Sequence, residues 1–282
     1  MKKLCLLMVV GVLGFLGGCK QETENLEANS LEHILAEGKI TMATSPDYAP
    51  YEFIDATKTG DDKYVGADIE LGKYIAKKLG VELEIKAMDF SAVLVAVGEG
   101  KVDMAISGIG YKPERAEAME FSKTYSSDDS GSETDLCTGH GLLVLKETAD
   151  QYTSLADFSS KTVAAQSASL QEGFVQNQLP DAKLQTIASL SDGVLRVQSK
   201  KVDALAISCS TGTQYVKAND DLTMLPFVFE VDETEGTMVG IPKGETELVD
   251  AINEIIDEVI ENGLYQQWVE EYTTYAESLG IN

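Results

Sequence analysis

Apolar positions along the chain follow two alternating rhythms. Ile40 to Thr44 is a short apolar run halted by Ser45 and Pro46, and it predicts a strand. Asp68 to Leu79 places Ile69, Tyr74, Ile75 and Leu79 at helical spacing with Gly80 behind them as a C-cap, and it predicts a helix. Val81 to Lys86 alternates like a strand, Ser91 to Val97 returns to helix, and Val102 to Ile106 reads as a buried strand. A break follows at residues 126–139, where Ser, Asp, Gly and Thr mark a loop. The rhythm then resumes. Gly141 to Leu145, Thr162 to Ala165 and Val202 to Ile207 predict strands, and Leu155 to Phe158, Leu170 to Leu179 and Asp192 to Lys200 predict helices. Glu247 to Asn262 is a long amphipathic helix stopped by Asn262 and Gly263, and Leu264 to Tyr275 is one more helix. Such βαβα alternation implies an α/β fold, a parallel-type sheet covered by helices. Lys101-Val102-Asp103 and Lys201-Val202-Asp203 each precede an apolar strand. Two similar α/β units would explain the likeness, and so would the recurrence of a common turn.

The N-terminus follows neither rhythm. Lys2 and Lys3 precede an apolar run, Leu4 to Leu16, and Leu16-Gly17-Gly18-Cys19 sets small residues before a cysteine. The run is shorter than the roughly 20 residues that span a bilayer. It resembles a bacterial lipoprotein signal. That resemblance implies a signal peptide over residues 1–18, lipidation of Cys19, and a polar tether over 19–30. The protein is then exported and held by lipid at the outer face of the bacterial cytoplasmic membrane, or facing the periplasm. The whole chain of 282 residues carries a formal charge of -25. Lys2 and Lys3 leave with the signal, so 20 basic residues face 47 acidic ones, a charge of -27. No Lys/Arg cluster offsets this, which excludes nucleic acid as a partner. Cys5 also leaves. Cys137 and Cys209 remain in an exported context, where they could pair or stay separate thiols. His33 and His140 are isolated and lack metal-ligand spacing, so packing or surface roles are expected and no metal or cofactor is implied.

Ala43-Thr44-Ser45-Pro46-Asp47-Tyr48-Ala49-Pro50-Tyr51-Glu52-Phe53 resembles the opening of bacterial extracellular solute-binding proteins of family 3, which serve amino-acid ABC importers. Further matches follow in order: Val65-Gly66-Ala67-Asp68-Ile69-Glu70-Leu71, Met88-Asp89-Phe90, Lys112-Pro113-Glu114-Arg115, Glu120-Phe121-Ser122, and Glu261-Asn262-Gly263-Leu264-Tyr265 before Trp268. The resemblance covers nearly all of residues 31–275. It implies a two-lobed periplasmic-binding-protein-like fold of type II, closing on its ligand like a jaw. Lobe 1 would take 31–125 and 241–282, the first hinge crossing with its polar insertion 126–141, lobe 2 142–234, and a second hinge strand 235–240. The implied function is the substrate-binding component of an ABC importer. It would capture an amino acid or related small carboxylate, act as a monomer, and deliver the ligand to the permease subunits without catalysis.

The resemblance also assigns site residues. Arg115 would hold the ligand carboxylate, for which a guanidinium fork is suited and a lysine is not. Gly108 and Gly110 would offer backbone groups, and Tyr48 and Phe90 would flank the ligand with aromatic faces. Ser169 would meet the carboxylate near a helix N-terminus, unless it is a plain N-cap, and Gln166 would select the side chain. Ser208 stands where relatives usually carry an acid for the ligand ammonium. Threonines common at positions 110 and 112 are also missing. The loop at 126–139 is an insertion, and it puts Cys137 and Cys209 near the cleft side of the hinge, where they could form a disulfide. Two other functions compete. A sensory lobe would feed a receptor, although no membrane span follows lobe 2. A dehydratase-like enzyme would need an acid or base near Arg115, and Glu52 is its only candidate.

Overall fold

The computed structural model describes residues 29–127, 136–231 and 236–280. Cys19, the signal segment and most of the tether lie outside the described residues. Helix α1 (Leu31–Glu37) starts on the Ser30 hydroxyl and ends on left-handed Gly38. It feeds β1 (Lys39–Thr44), and β2 (Phe53–Ile54) and β3 (Tyr64–Val65) pair as a small ribbon. The first pass continues through α2 (Ala67–Leu79), β4 (Glu82–Ala87), α3 (Phe90–Gly98), β5 (Met104–Ala105), α4 (Pro113–Ala118) and β6 (Met119–Ser126). A second pass holds β7 (His140–Leu145), β8 (Thr162–Gln166), α5 (Leu170–Gln178), β9 (Lys183–Ile187), α6 (Leu190–Gln198), β10 (Ala204–Ser208), α7 (Cys209–Ala218) and β11 (Leu222–Val228). The chain then returns through β12 (Thr237–Pro242), α8 (Thr246–Glu261) and α9 (Leu264–Leu279).

Two five-stranded sheets result, in the orders β4-β1-β5-β12-β6 and β11-β7-β10-β8-β9. β1 lies parallel to β4 and β5, and β8 lies parallel to β9 and β10. The strands that carry the chain between sheets, β6, β7, β11 and β12, are all antiparallel to their neighbours. Each sheet therefore has a βαβ half and an antiparallel half that leads to the other lobe. The first lobe buries Ile40, Met42, Ile69, Ile75 and Ile106 against Ile252, Ile256 and Val269 of the two C-terminal helices. The second lobe has apolar clusters on both faces of its sheet.

The Lys-Val-Asp likeness has a structural basis. The Asp103 N–H donates to the Thr41 carbonyl, and its carboxylate takes the Thr41 N–H at 2.7 Å. Asp203 makes the same reciprocal pair with Thr162, at 2.8 Å. In each lobe the aspartate thus ties the turn before one strand to the strand beside it.

Several elements differ from the sequence expectation. The strand at Val102–Ile106 shrinks to Met104–Ala105, and Leu155–Phe158 is a single 3₁₀ turn. The return strand runs from Thr237 to Pro242 and belongs to the first sheet. Helix α7 has no apolar periodicity that predicts it. It forms because Ser208 caps it and because Gly212 lets it lie on the sheet. A Cβ there would stand 2.4 Å from Met224 Sδ and 3.1 Å from Ile207.

Cys137 and Cys209 are joined, with Cα atoms 5.3 Å apart. Around the bond, the Cys209 N–H donates to the Gly139 carbonyl and the Leu136 N–H to Thr213 Oγ1. The sulfurs sit over Gly141, where a Cβ would approach them at 3.4 and 3.5 Å. The bridge thus lies inside the second lobe, beside the start of β7, and leaves the cleft free to open. It closes a loop across a separation of 72 residues, so it restricts the unfolded chain strongly. Denaturant unfolding of the Cys137→Ser/Cys209→Ser variant should show the second lobe destabilised by about 2–5 kcal/mol. Coincident unfolding curves would mean that the bridge constrains little.

Candidate functional site

The loops at the C-terminal ends of the parallel strands face each other across a cleft, as open α/β sheets favour. Arg115 lines it, buried, projecting from the short helix α4 that Pro113 starts. Its Nη1 donates to the Gly110 carbonyl at 2.6 Å and its Nη2 to the Ala168 carbonyl of the other lobe at 2.7 Å. The guanidinium lies 5.5 Å from the Phe90 ring centroid. Burial pulls its pKa down to about 10, which still leaves it charged at neutral pH. A guanidinium has five N–H donors, so donors remain for an anion after two carbonyls are served.

Ala168 presents its carbonyl because its backbone is left-handed, with φ 65°. The carboxylate of Glu172 holds the Ala168 N–H at 2.7 Å, and Ser169 caps α5 through the Glu172 N–H. Gly108 is also left-handed, and a Cβ there would meet the Tyr48 ring at 3.0 Å. Tyr48 in turn stacks on Tyr51, centroids 5.2 Å apart. At Gly110 a Cβ would fall 2.9 Å from Leu170 of the facing lobe. The missing threonine side chain at this position thus leaves space that Leu170 fills.

Acids crowd the first-lobe wall. Asp68, in the first turn of α2, is fully buried and accepts from the Gly108 N–H at 2.8 Å, Tyr125 at 3.0 Å and Tyr265 at 2.6 Å. Glu52 accepts the Ser107 hydroxyl at 2.8 Å on Oε1, while its buried Oε2 finds no donor among the described residues. Burial, and then the negative charge of Asp68, push the Glu52 carboxyl well above the usual carboxylate range. Burial raises Asp68 too, but its three donors oppose the shift. Asp47 Oδ2 reaches the second lobe, taking the Leu190 N–H at 2.7 Å and the Gln166 amide at 3.2 Å. On the second-lobe wall His140 contacts the Gln171 amide through Nδ1 at 2.9 Å and packs on Phe174.

Of the residues expected in the site, Tyr48, Phe90, Gly108, Gly110, Arg115, Gln166 and Ser169 line the cleft together. Ser208 does not. It ends β10, pairs with His140 in the sheet, and spends its hydroxyl on the Thr211 N–H as the cap of α7. Ser169 is both an N-cap and a lining residue. Ser107, His140, Leu170, Gln171 and Thr237 also line the cleft without having been singled out as ligand contacts, and Asp47 lines it with them. For His140 the sequence held no signal, because its neighbour Gln171 comes from a helix 31 residues away. Among the described residues no group of three or more His, Cys, Asp or Glu could hold a metal ion, and no helix is long and apolar enough to cross a membrane.

The model of the bacterial extracellular solute-binding proteins, family 3, matches residues 40–275. The chain belongs to this family. Among family 3 proteins, an arginine-binding extracellular protein of Bacillus subtilis is 31% identical over 97% of this chain and 99% of its own length. An amino acid ABC transporter substrate-binding protein of Streptococcus pneumoniae, solved with L-arginine bound, superimposes with a TM-score of 0.78 at 31% identity, covering 86% of this chain and 97% of that one. An ancestral amino acid-binding protein described as a precursor of cyclohexadienyl dehydratase superimposes at 0.73 with 28% identity, covering 86% and 99%. The type II two-lobed fold expected of family 3 is thereby shown.

The left-handed Ala168 generates a prediction. A residue with a Cβ carries a cost of about 1–2 kcal/mol in that conformation, and a glycine does not. Ala168→Gly should therefore raise thermal stability by about 0.5–1 kcal/mol after the glycine's extra unfolded-state entropy is counted. A lower melting temperature would show that this backbone is not strained. Asp68→Ala should cost about 3 kcal/mol or more, because three buried donors lose their acceptor at once.

Proposed function

We propose that the cleft captures an α-amino acid, with a cationic one such as arginine as the first candidate, and passes it to the permease of an ABC importer. The protein acts as a monomeric, exported lipoprotein anchored through Cys19. Its role is capture and delivery and not catalysis, as the binding proteins it resembles support. One observation carries the reading. A buried guanidinium and a buried carboxyl line the same cleft between aromatic faces. Arg115 suits the ligand carboxylate. Glu52 suits a positive group, which favours the ionised form of its carboxyl. Ser208 is occupied as a helix cap, so the charge for a cation comes from the first lobe. The formal charge of -25 favours the approach of a cation over long range.

Calorimetry with L-arginine is the direct test. Arg115→Ala should weaken binding at least about tenfold, equal to about 1.4 kcal/mol. Glu52→Gln should weaken L-arginine more than L-glutamine. A cation also favours the ionised form of Glu52, so binding expels its proton. Because burial and the charge of Asp68 raise the Glu52 pKa in the free protein, affinity should climb as pH rises above the ordinary carboxylate range and level off once Glu52 is ionised. Titrations in buffers of different ionisation enthalpy will read the released proton. Failure of every α-amino acid to produce binding heat would end this reading.

A further inference from the structure

Two charged side chains of the first lobe reach across the cleft and end on backbone groups of the second. Asp47 takes the N–H of Leu190, the first residue of α6. That N–H is one of the four a helix cannot satisfy from within. Ser189 caps the helix through the Asp192 N–H, which leaves the Leu190 N–H to the carboxylate from the other lobe. Lys112 donates its ammonium to the carbonyl of Ser169, the cap residue of α5, at 2.9 Å. Both contacts join residues of different lobes, so both break when the lobes part. Both are partly desolvated: burial raises the Asp47 carboxyl and lowers the Lys112 ammonium. Charge-assisted hydrogen bonds are the stronger kind, and more so away from water. Asp47 lines the cleft with Arg115, but both of its carboxylate oxygens are already engaged. Asp47 Oδ2 is taken by Leu190 and Gln166, its Oδ1 is approached by the Ser45 hydroxyl, and Lys112 is not among the cleft-lining residues.

We infer that Asp47 and Lys112 are closure latches, positioning residues that hold the second lobe shut by its backbone and slow ligand release without choosing between ligands. Their shortest cross-lobe contacts are to main-chain groups, with the Gln166 amide farther from Asp47 at 3.2 Å, so the latch acts mainly on the jaw. Glu52 is the contrasting case, a group whose loss changes the preference between ligands. The affinity part of this inference rests on the cleft being an amino-acid site, and the shape part does not.

The test uses Asp47→Ala, Asp47→Asn and Lys112→Met, singly and with Asp47→Ala and Lys112→Met combined. Lys112→Met keeps most of the alkyl stem and removes the charge. Far-UV circular dichroism first establishes that each variant is folded. Stopped-flow release of L-arginine and of L-glutamine should then speed up by the same factor for both ligands. About tenfold is expected for Asp47→Ala and for Lys112→Met, with a smaller effect for Asp47→Asn, which keeps an acceptor oxygen. Unchanged release, or acceleration of one ligand alone, would overturn the inference. Small-angle X-ray scattering without any amino acid is the second arm. The double variant should have a larger radius of gyration than the unmodified protein. If neither amino acid binds the unmodified protein, the functional reading fails and scattering alone decides; equal radii would then overturn the latches.

Discussion

A carboxylate buried to zero exposure anchors the first lobe. Asp68 is stable there because each of its neighbours brings a donor: the loop of Gly108, the crossing strand through Tyr125, and the C-terminal helix through Tyr265. Without these donors the cost of burying the charge would amount to several kcal/mol. With them, one atom group fixes three segments that are 40, 57 and 197 residues away in the chain. The placement of Gly108 sets the Tyr48 ring, since the two are in contact. Burial and then the charge of Asp68 next to it raise the Glu52 carboxyl well above the usual carboxylate range. Fold and ligand chemistry thus meet in a residue that does not line the cleft itself.

The two walls of the cleft have different characters. The first lobe contributes charged side chains: Arg115, Glu52, Asp47 and, from the rim, Lys112. The second lobe answers largely with backbone: the Ala168 and Ser169 carbonyls and the Leu190 N–H, all at the starts of α5 and α6. A helix start leaves N–H groups without partners inside the helix, which suits the Leu190 N–H to an acid from the other lobe. The polar side chains of Gln166, His140 and Gln171 complete that wall. One wall is therefore set by residue identity, and the other mainly by where the helices begin.

The apolar rhythm exposed most of the parallel halves of both lobes, because β1, α2, β4, α3, β8, α5 and β10 are each dictated by which face meets the core. It was silent where helicity comes from packing. Helix α7 reads Cys-Ser-Thr-Gly-Thr, a poor helix former, and is held by its Ser208 cap, by Gly212 against Met224 and by the bond at Cys209. The resemblance to a known family made Arg115, Tyr48 and Phe90 legible, because those residues sit in local motifs. It marked Ser208 as a departure from the usual acid, and the structure makes that serine the cap of α7. The contacts of Asp47 with Leu190 and of Lys112 with Ser169 were illegible for a different reason. Each joins residues 143 and 57 positions apart whose side chain and backbone partners carry no local signature.

The double crossing between lobes also dictates an order of assembly. Sheet one takes β1, β4, β5 and β6 from the start of the chain but needs β12, inserted between β5 and β6, from near its end. The second lobe is one unbroken stretch from β7 to β11 and can form as soon as that stretch is available. The lobe whose first strand emerges earliest from the ribosome is therefore the last to be completed. Its sheet stays divided until β12 arrives, and helices α8 and α9 follow to cover it. The arrangement holds back completion of the first lobe until the C-terminal end has been made.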